Sequence, residues 1–254
     1  MIDLRPAPQA RPAAARVRAQ GLLETRLMLR NGEQLLLALV IPIVVLVGGE
    51  MFATRFNLSL DALVGSVLAM AVWSTAFTSI AIATGFDRRQ GVLERLAATP
   101  LGRSGLVGGK VVAVVLVTAL QWVVLLVVAL VIGWRPHVSA LATIVMLVGV
   151  VLAAAAFTAF ALALAGTLRA EATLGLANLV YLAGLVLGIV VPTRSLGAAG
   201  QVVALLPTGA LGNLLRAWSQ GGGVTSSMVV GPGVLAVWAL VGVLLSRKVF
   251  KWTS

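Results

Sequence analysis

Residues 110–135 read KVVAVVLVTALQWVVLLVVALVIGWR. No charge falls between Lys110 and Arg135, and only Thr118 and Gln121 interrupt the apolar run. A helix needs about 20 apolar residues to cross the hydrocarbon of a bilayer. A stretch this long with no polar face has no place on the surface of a soluble fold. The same pattern recurs outward in both directions. Charge is absent between Asp61 and Asp87, His137 and Arg169, Glu171 and Arg194, and Arg216 and Arg247. An earlier run, Gln34 to Thr54, holds a single charge, Glu50. Six candidate spans result, at roughly 34–54, 62–84, 109–133, 139–166, 172–191 and 229–246.

Composition agrees with this class. Of 254 residues, 60% are hydrophobic and 11% are charged, where a soluble domain carries about 25% charged residues. The fold class expected is an all-α membrane protein. Residues 195–215, SLGAAGQVVALLPTGALGNLL, are also uncharged, but Pro207 and four glycines make them a poor continuous helix. Irregular backbone at membrane depth survives only inside protein or beside water.

Basic residues set the parity of the crossings. Arg5, Arg11, Arg16, Arg18, Arg26 and Arg30 precede the first span, and Arg247, Lys248 and Lys251 follow the last. Both termini therefore read as cytoplasmic, which requires an even number of spans. Residues 195–215 become a broken or re-entrant outer segment before the sixth. With Arg88, Arg89, Arg95, Arg103, Lys110 and Arg169 also inside, only Arg55, Arg135, Arg194 and Arg216 of the 19 basic residues lie outside. Topology and anionic lipid account for the net charge of +11, and no nucleic-acid partner is expected.

Three regions follow along the chain. Residues 1–16, rich in Pro, Ala and Arg, lack the apolar core of a signal peptide and are expected to be a disordered cytoplasmic tail. Residues 17–33 read as an interfacial helix ending at Asn31-Gly32, or alternatively as an extension of span one. Residues 34–254 form the six-span domain. The absence of cysteine excludes disulfides and thiolate metal sites. Neither clustered carboxylates nor a second histidine beside His137 supports a metal site or an acid–base dyad. High Ala and Arg with only three Lys points to a GC-rich bacterial source.

The internal segment 85–104, GFDRRQGVLERLAATPLGRS, is too long for a simple turn. It predicts a short helix from about Phe86 to Ala97, ended by Thr99-Pro100. On it Asp87, Gln90 and Glu94 make a polar stripe, and Leu93, Leu96 and Ala97 an apolar side. Such a surface suits a soluble partner; an ordinary solvated loop is the alternative.

Here the sequence resembles the ABC-2 type exporter permeases. DRRQGVLERLAATPL (87–101) is similar to the loop after that family's second span. RNGEQLLLALVIPIVVLV (30–47) resembles its entry into span one, with Gly32 where Pro is common. LLPTGALGNLLRAW (205–218) resembles its outer segment before span six. Arg89 stands where an acidic residue is usual. The resemblance implies a dimerising transport subunit, with a second permease chain of the same or another kind and a separate ATP-binding cassette subunit. Phe86, Asp87, Arg88, Gln90, Leu93, Glu94 and Arg95 would form the coupling helix in that subunit's groove. ATP and Mg would be cofactors of the partner, with none on this chain. The implied activity is efflux of an amphipathic, drug-like or lipid-like compound across a bacterial plasma membrane, as in drug or antibiotic resistance.

The nearest sequence to a P-loop, SGLVGGKV (104–111), lacks the first Gly and the final Ser or Thr of that motif. Glu50, within a span, is a gate or substrate contact, or an interface charge paired with Arg55. Arg194, Pro207 and Arg216 mark an outer gate or path, with interface charges as the plainer reading for the arginines. Gly184 and Gly188 form GxxxG, which permits a packing interface within or between chains. Gln121, Trp122, Asn178 and Tyr181 line a path or satisfy helix contacts. A stand-alone secondary transporter or channel is the competing function, but it expects titratable groups deep in the spans. A membrane enzyme lacks its chemistry here.

Overall fold

The computed structural model describes residues 10–52, 59–137 and 139–250. Their secondary structure is helical, with one isolated bridge, Leu187 to Val191. In chain order the helices are α1 (Ala13–Arg30), α2 (Gly32–Met51), α3 (Leu60–Arg89), α4 (Val92–Ala97), α5 (Gly102–Val131), α6 (Ala140–Ala165) and α7 (Ala170–Val186). A 3₁₀ turn, Thr193–Leu196, then leads to α8 (Gly197–Ala204), α9 (Pro207–Gln220) and α10 (Ser226–Val249). Among the described residues α3, α5, α6 and α10 are long and apolar enough to cross a membrane. The apolar parts of α2 (Ala38–Met51) and α7 are shorter.

Local chemistry starts several of these helices. The Ser59 and Ser139 hydroxyls accept from the backbone N–H groups of Ala62 and Ala142, capping α3 and α6. Pro207 occupies the first turn of α9, where its missing N–H costs nothing. Pro42 and Pro232 lie inside α2 and α10. There each removes one ladder bond, a loss that neighbouring groups in a bundle can offset.

α3 is the centre of the bundle. Of its most apolar window 78% is buried, against 22% for α10. α2, α5, α6, α7 and α9 all pack on it. The outer helices instead present Val237, Leu240 and Leu244 of α10, and Val123 and Val127 of α5, on the surface. An apolar exterior of this extent fits a lipid solvent and not water.

Midway, residues Ser74–Ser79 of α3 form a π-helical turn. Trp73 stacks on Phe77 with ring centroids 4.5 Å apart and meets Phe157 edge-on at 4.6 Å. Thr75 donates to Gln121 Oε1 (2.9 Å), and Trp122 Nε1 donates to the Leu68 carbonyl (3.1 Å). These polar groups of the spans are satisfied by interhelix contacts.

The structure corrects two boundaries. Helix begins at Ala13, inside the stretch expected to be a disordered tail, while residues 1–9 lie outside the described residues. The reason is that Ala13–Ala15 are strong helix formers, and the Pro12 carbonyl before them accepts the first helical bond, from Arg16 N–H at 3.1 Å. Nor is there one helix over 86–97. α3 runs on to Arg89, and Gly91 at φ 67° breaks the chain before α4. A left-handed residue ends a helix, and glycine takes that conformation without a Cβ clash. The segment 195–215 is broken as expected, into α8 and α9 with a turn at Leu205-Leu206.

Candidate coupling site and outer cavity

The Gly91 break divides the seven residues expected on one helix. Phe86, Asp87 and Arg88 belong to the last turn of α3, past the predicted end of span two. Gln90 sits at the break, and Leu93, Glu94 and Arg95 lie on α4. Their surroundings divide them further. Leu93 is fully buried and anchors α4, while Gln90, Glu94 and Arg95 are exposed. Arg95 closes the break by donating to the carbonyls of Gln90 (3.0 Å) and Gly91 (3.3 Å).

Asp87 and Arg88 turn inward. Arg88 donates to the carbonyls of Ala165 (3.0 Å) and Leu168 (3.3 Å), satisfying acceptors at and beyond the C-terminus of α6. Asp87 faces Lys110 at 3.7 Å, and Lys110 also pairs with Glu24 of α1 at 3.2 Å. Burial pushes the Asp87 carboxyl above its ordinary range; Lys110 opposes that rise and Glu24 adds to it. This trio ties α1, α3 and α5 together. At the rim Arg89 pairs with Glu171 of α7.

At the other end of α3, α9 lies so close that a Cβ on Gly65 would fall 2.6 Å from the Arg216 Cα. The Arg216 guanidinium is buried and donates to the carbonyls of Ile189 (2.6 Å) and Gly188 (2.8 Å), to Asn213 Oδ1 (2.9 Å) and to Ser66 Oγ (3.2 Å). It thereby holds the chain that leaves α7. Thr208 adds a bond to the Leu187 carbonyl at 2.7 Å. A cavity of about 380 Å³ opens between α9, α10 and residues 192–194, with Arg194 and Arg216 in its wall. Pro207 is outside that wall and starts α9.

Glu50 is half-buried near the end of α2, and its Oε2 has no hydrogen-bond partner among the described residues. Arg55 lies outside them. Gly184 and Gly188 do not share a helix face, because α7 ends at Val186. A Cβ on Gly184 would meet the Trp73 ring at 2.8 Å, and Gly188, at φ 102°, packs against the Gly209 backbone. Both contacts are within the chain. Tyr181 contributes its carbonyl to Trp73 Nε1 at 3.1 Å, while Asn178 points to the surface.

Sequence reasoning passed over Glu24, Lys110 and Asn213. The one usable signal was Lys110 itself, a lysine placed directly ahead of an uncharged span.

The family model described as ABC-2 type transporter matches residues 22–217, from α1 to α9. No curated protein matches the chain significantly.

Proposed function

Because the chain belongs to the ABC-2 type transporter family, we propose that it is the membrane subunit of an ATP-driven exporter for an amphipathic, drug-like or lipid-like compound. Family membership makes it a transmembrane permease and implies an ATP-binding cassette partner. The finer reading has six spans, α2, α3, α5, α6, α7 and α10. Both termini and α4 lie on the cytoplasmic face of a bacterial plasma membrane, and two permease chains are rocked by one pair of nucleotide-binding subunits. ATP and Mg are held by that partner.

The observation that carries the coupling assignment is α4 itself. Its Leu93 is sunk into the bundle while Glu94 and Arg95 point outward. A short helix held rigidly at one side and charged on the other transmits a push from a docked subunit to α3 and α5, which it contacts. Coupling therefore rests on Gln90, Glu94 and Arg95 as contacts. Phe86, Asp87, Arg88 and Leu93 set the helix in place.

The test is co-purification with a co-expressed ATP-binding subunit, followed by ATP-dependent transport in proteoliposomes. Glu94→Lys is expected to reduce capture and uncouple ATP hydrolysis from transport while the melting temperature stays unchanged. Transport that survives E94K, or that runs on a pH gradient without any ATPase, overturns the proposal.

A further inference from the structure

We propose that the cavity beside Arg194 and Arg216 binds a phosphate-type oxyanion, supplied in the membrane by the headgroup of an anionic phospholipid. Arg194 and Arg216 both line one cavity of about 380 Å³, and among the described residues no carboxylate lines it. Arg216 is 6% exposed, and its four hydrogen bonds all go to neutral acceptors. Arg194 stands near enough to repel it, yet Arg194 itself is exposed and makes no ion pair or hydrogen bond among the described residues. A buried cation facing a second cation is unfavourable until an anion enters between them. The free fork of Arg194 matches the several acceptor oxygens of a phosphate group. Arg216, with four of its five N–H donors engaged, adds mainly charge, and Ser226 and Ser227 line the same cavity.

The opposite wall names the source of that phosphate. Val230 and Val234 of α10 line the cavity. With Val237 and Val241 they follow a 4-3-4 spacing, so all four share one helix face. Val230, Val237 and Val241 are exposed. A headgroup seated between the arginines would lay its acyl chain along that stripe, whereas free phosphate would leave the stripe unused. The site stands apart from coupling: α4 is at the far end of α3, and binding is read without ATP or a partner.

The experiment is native mass spectrometry of the detergent-purified full chain, titrated with phosphatidylglycerol or with diacylglycerol. A thermal melt in inorganic phosphate runs beside it. Phosphatidylglycerol is expected to be retained in preference to diacylglycerol. Arg194→Gln should weaken that retention about tenfold and Arg194→Lys should restore most of it. Because Arg194 has no hydrogen-bond or ion-pair partner among the described residues, R194Q should melt like wild type without lipid, which separates lost binding from lost folding. Stabilisation by inorganic phosphate without phosphatidylglycerol retention would keep the oxyanion site and overturn its lipid source. Equal retention of the two lipids, or of phosphatidylglycerol by wild type and R194Q, with no effect of phosphate, overturns the proposal outright.

Discussion

Lys110 and Arg216 are both buried cations, one near each end of α3, and the chain accommodates them in different ways. Lys110 sits between two carboxylates, Glu24 and Asp87. Arg216 has none and is held by two carbonyls, an amide oxygen and a hydroxyl. At the Lys110 end the buried cation has opposite charges on two other helices at 3.2 and 3.7 Å, so the cluster acts as a fastener. At the Arg216 end the geometry is equally fixed but the charge is left over. A fastener needs nothing more, whereas leftover charge in a cavity is a means of attracting something.

That contrast can be broken in order of effect. Lys110→Met would leave the Glu24 and Asp87 carboxylates without their cation in a partly buried setting. Its expected cost is about 3 kcal/mol, read as a lower unfolding midpoint in mixed micelles. Adding Glu24→Gln and Asp87→Asn should recover most of that loss, because the triple variant strands no charge. A triple variant as unstable as K110M would show that packing, and not pairing, matters there. Arg216→Gln strands carbonyls but no opposite charge, so a smaller loss of about 1–3 kcal/mol is expected. If R216Q proves more damaging than K110M, the contrast is wrong. Arg89→Ala, which removes the exposed pair with Glu171, should change stability by about 0–1 kcal/mol, and added salt should hide even that.

Much of the helical layout was legible because charge is so scarce. Each of the six predicted spans holds one apolar helix, and the Asn31-Gly32 break falls where α1 gives way to α2. Pro207 and its neighbouring glycines likewise announced the broken stretch of α8 and α9. The break at Gly91 was missed because its flanks, DRRQ and VLERLA, are themselves good helix formers, and a left-handed φ leaves no mark in hydrophobic periodicity. Arg216 was read as an interface charge or an outer gate contact, and its buried anchoring of the chain after α7 was missed for a different reason. Two of its four partners are backbone carbonyls, which have no residue identity to read, and the other two are neutral side chains distant or unremarkable in sequence. The Glu24–Asp87–Lys110 cluster joins residues far apart in the chain, so spacing rules could not assemble it. Of the residues expected on the coupling helix, Glu94 and Arg95 face outward, but Asp87 and Arg88 are engaged in the bundle.

The π-helical turn at Ser74–Ser79 has a geometric consequence for α3 as a whole. Such a turn takes up one residue more than an α turn, and one residue corresponds to about 100° of rotation. The two halves of α3 therefore differ in phase, like two lengths of screw thread joined out of step. The face that meets α9 at Gly65 and Ser66 does not continue into the face that carries Asp87. Relaxing the turn to regular α-helix with the same residues would rotate Asp87 by about 100° away from Lys110 without moving Gly65, whereas deleting one residue within the turn would remove the bulge and keep both faces in place. The helix at the centre of the bundle thus has a built-in place where one end can be re-indexed against the other.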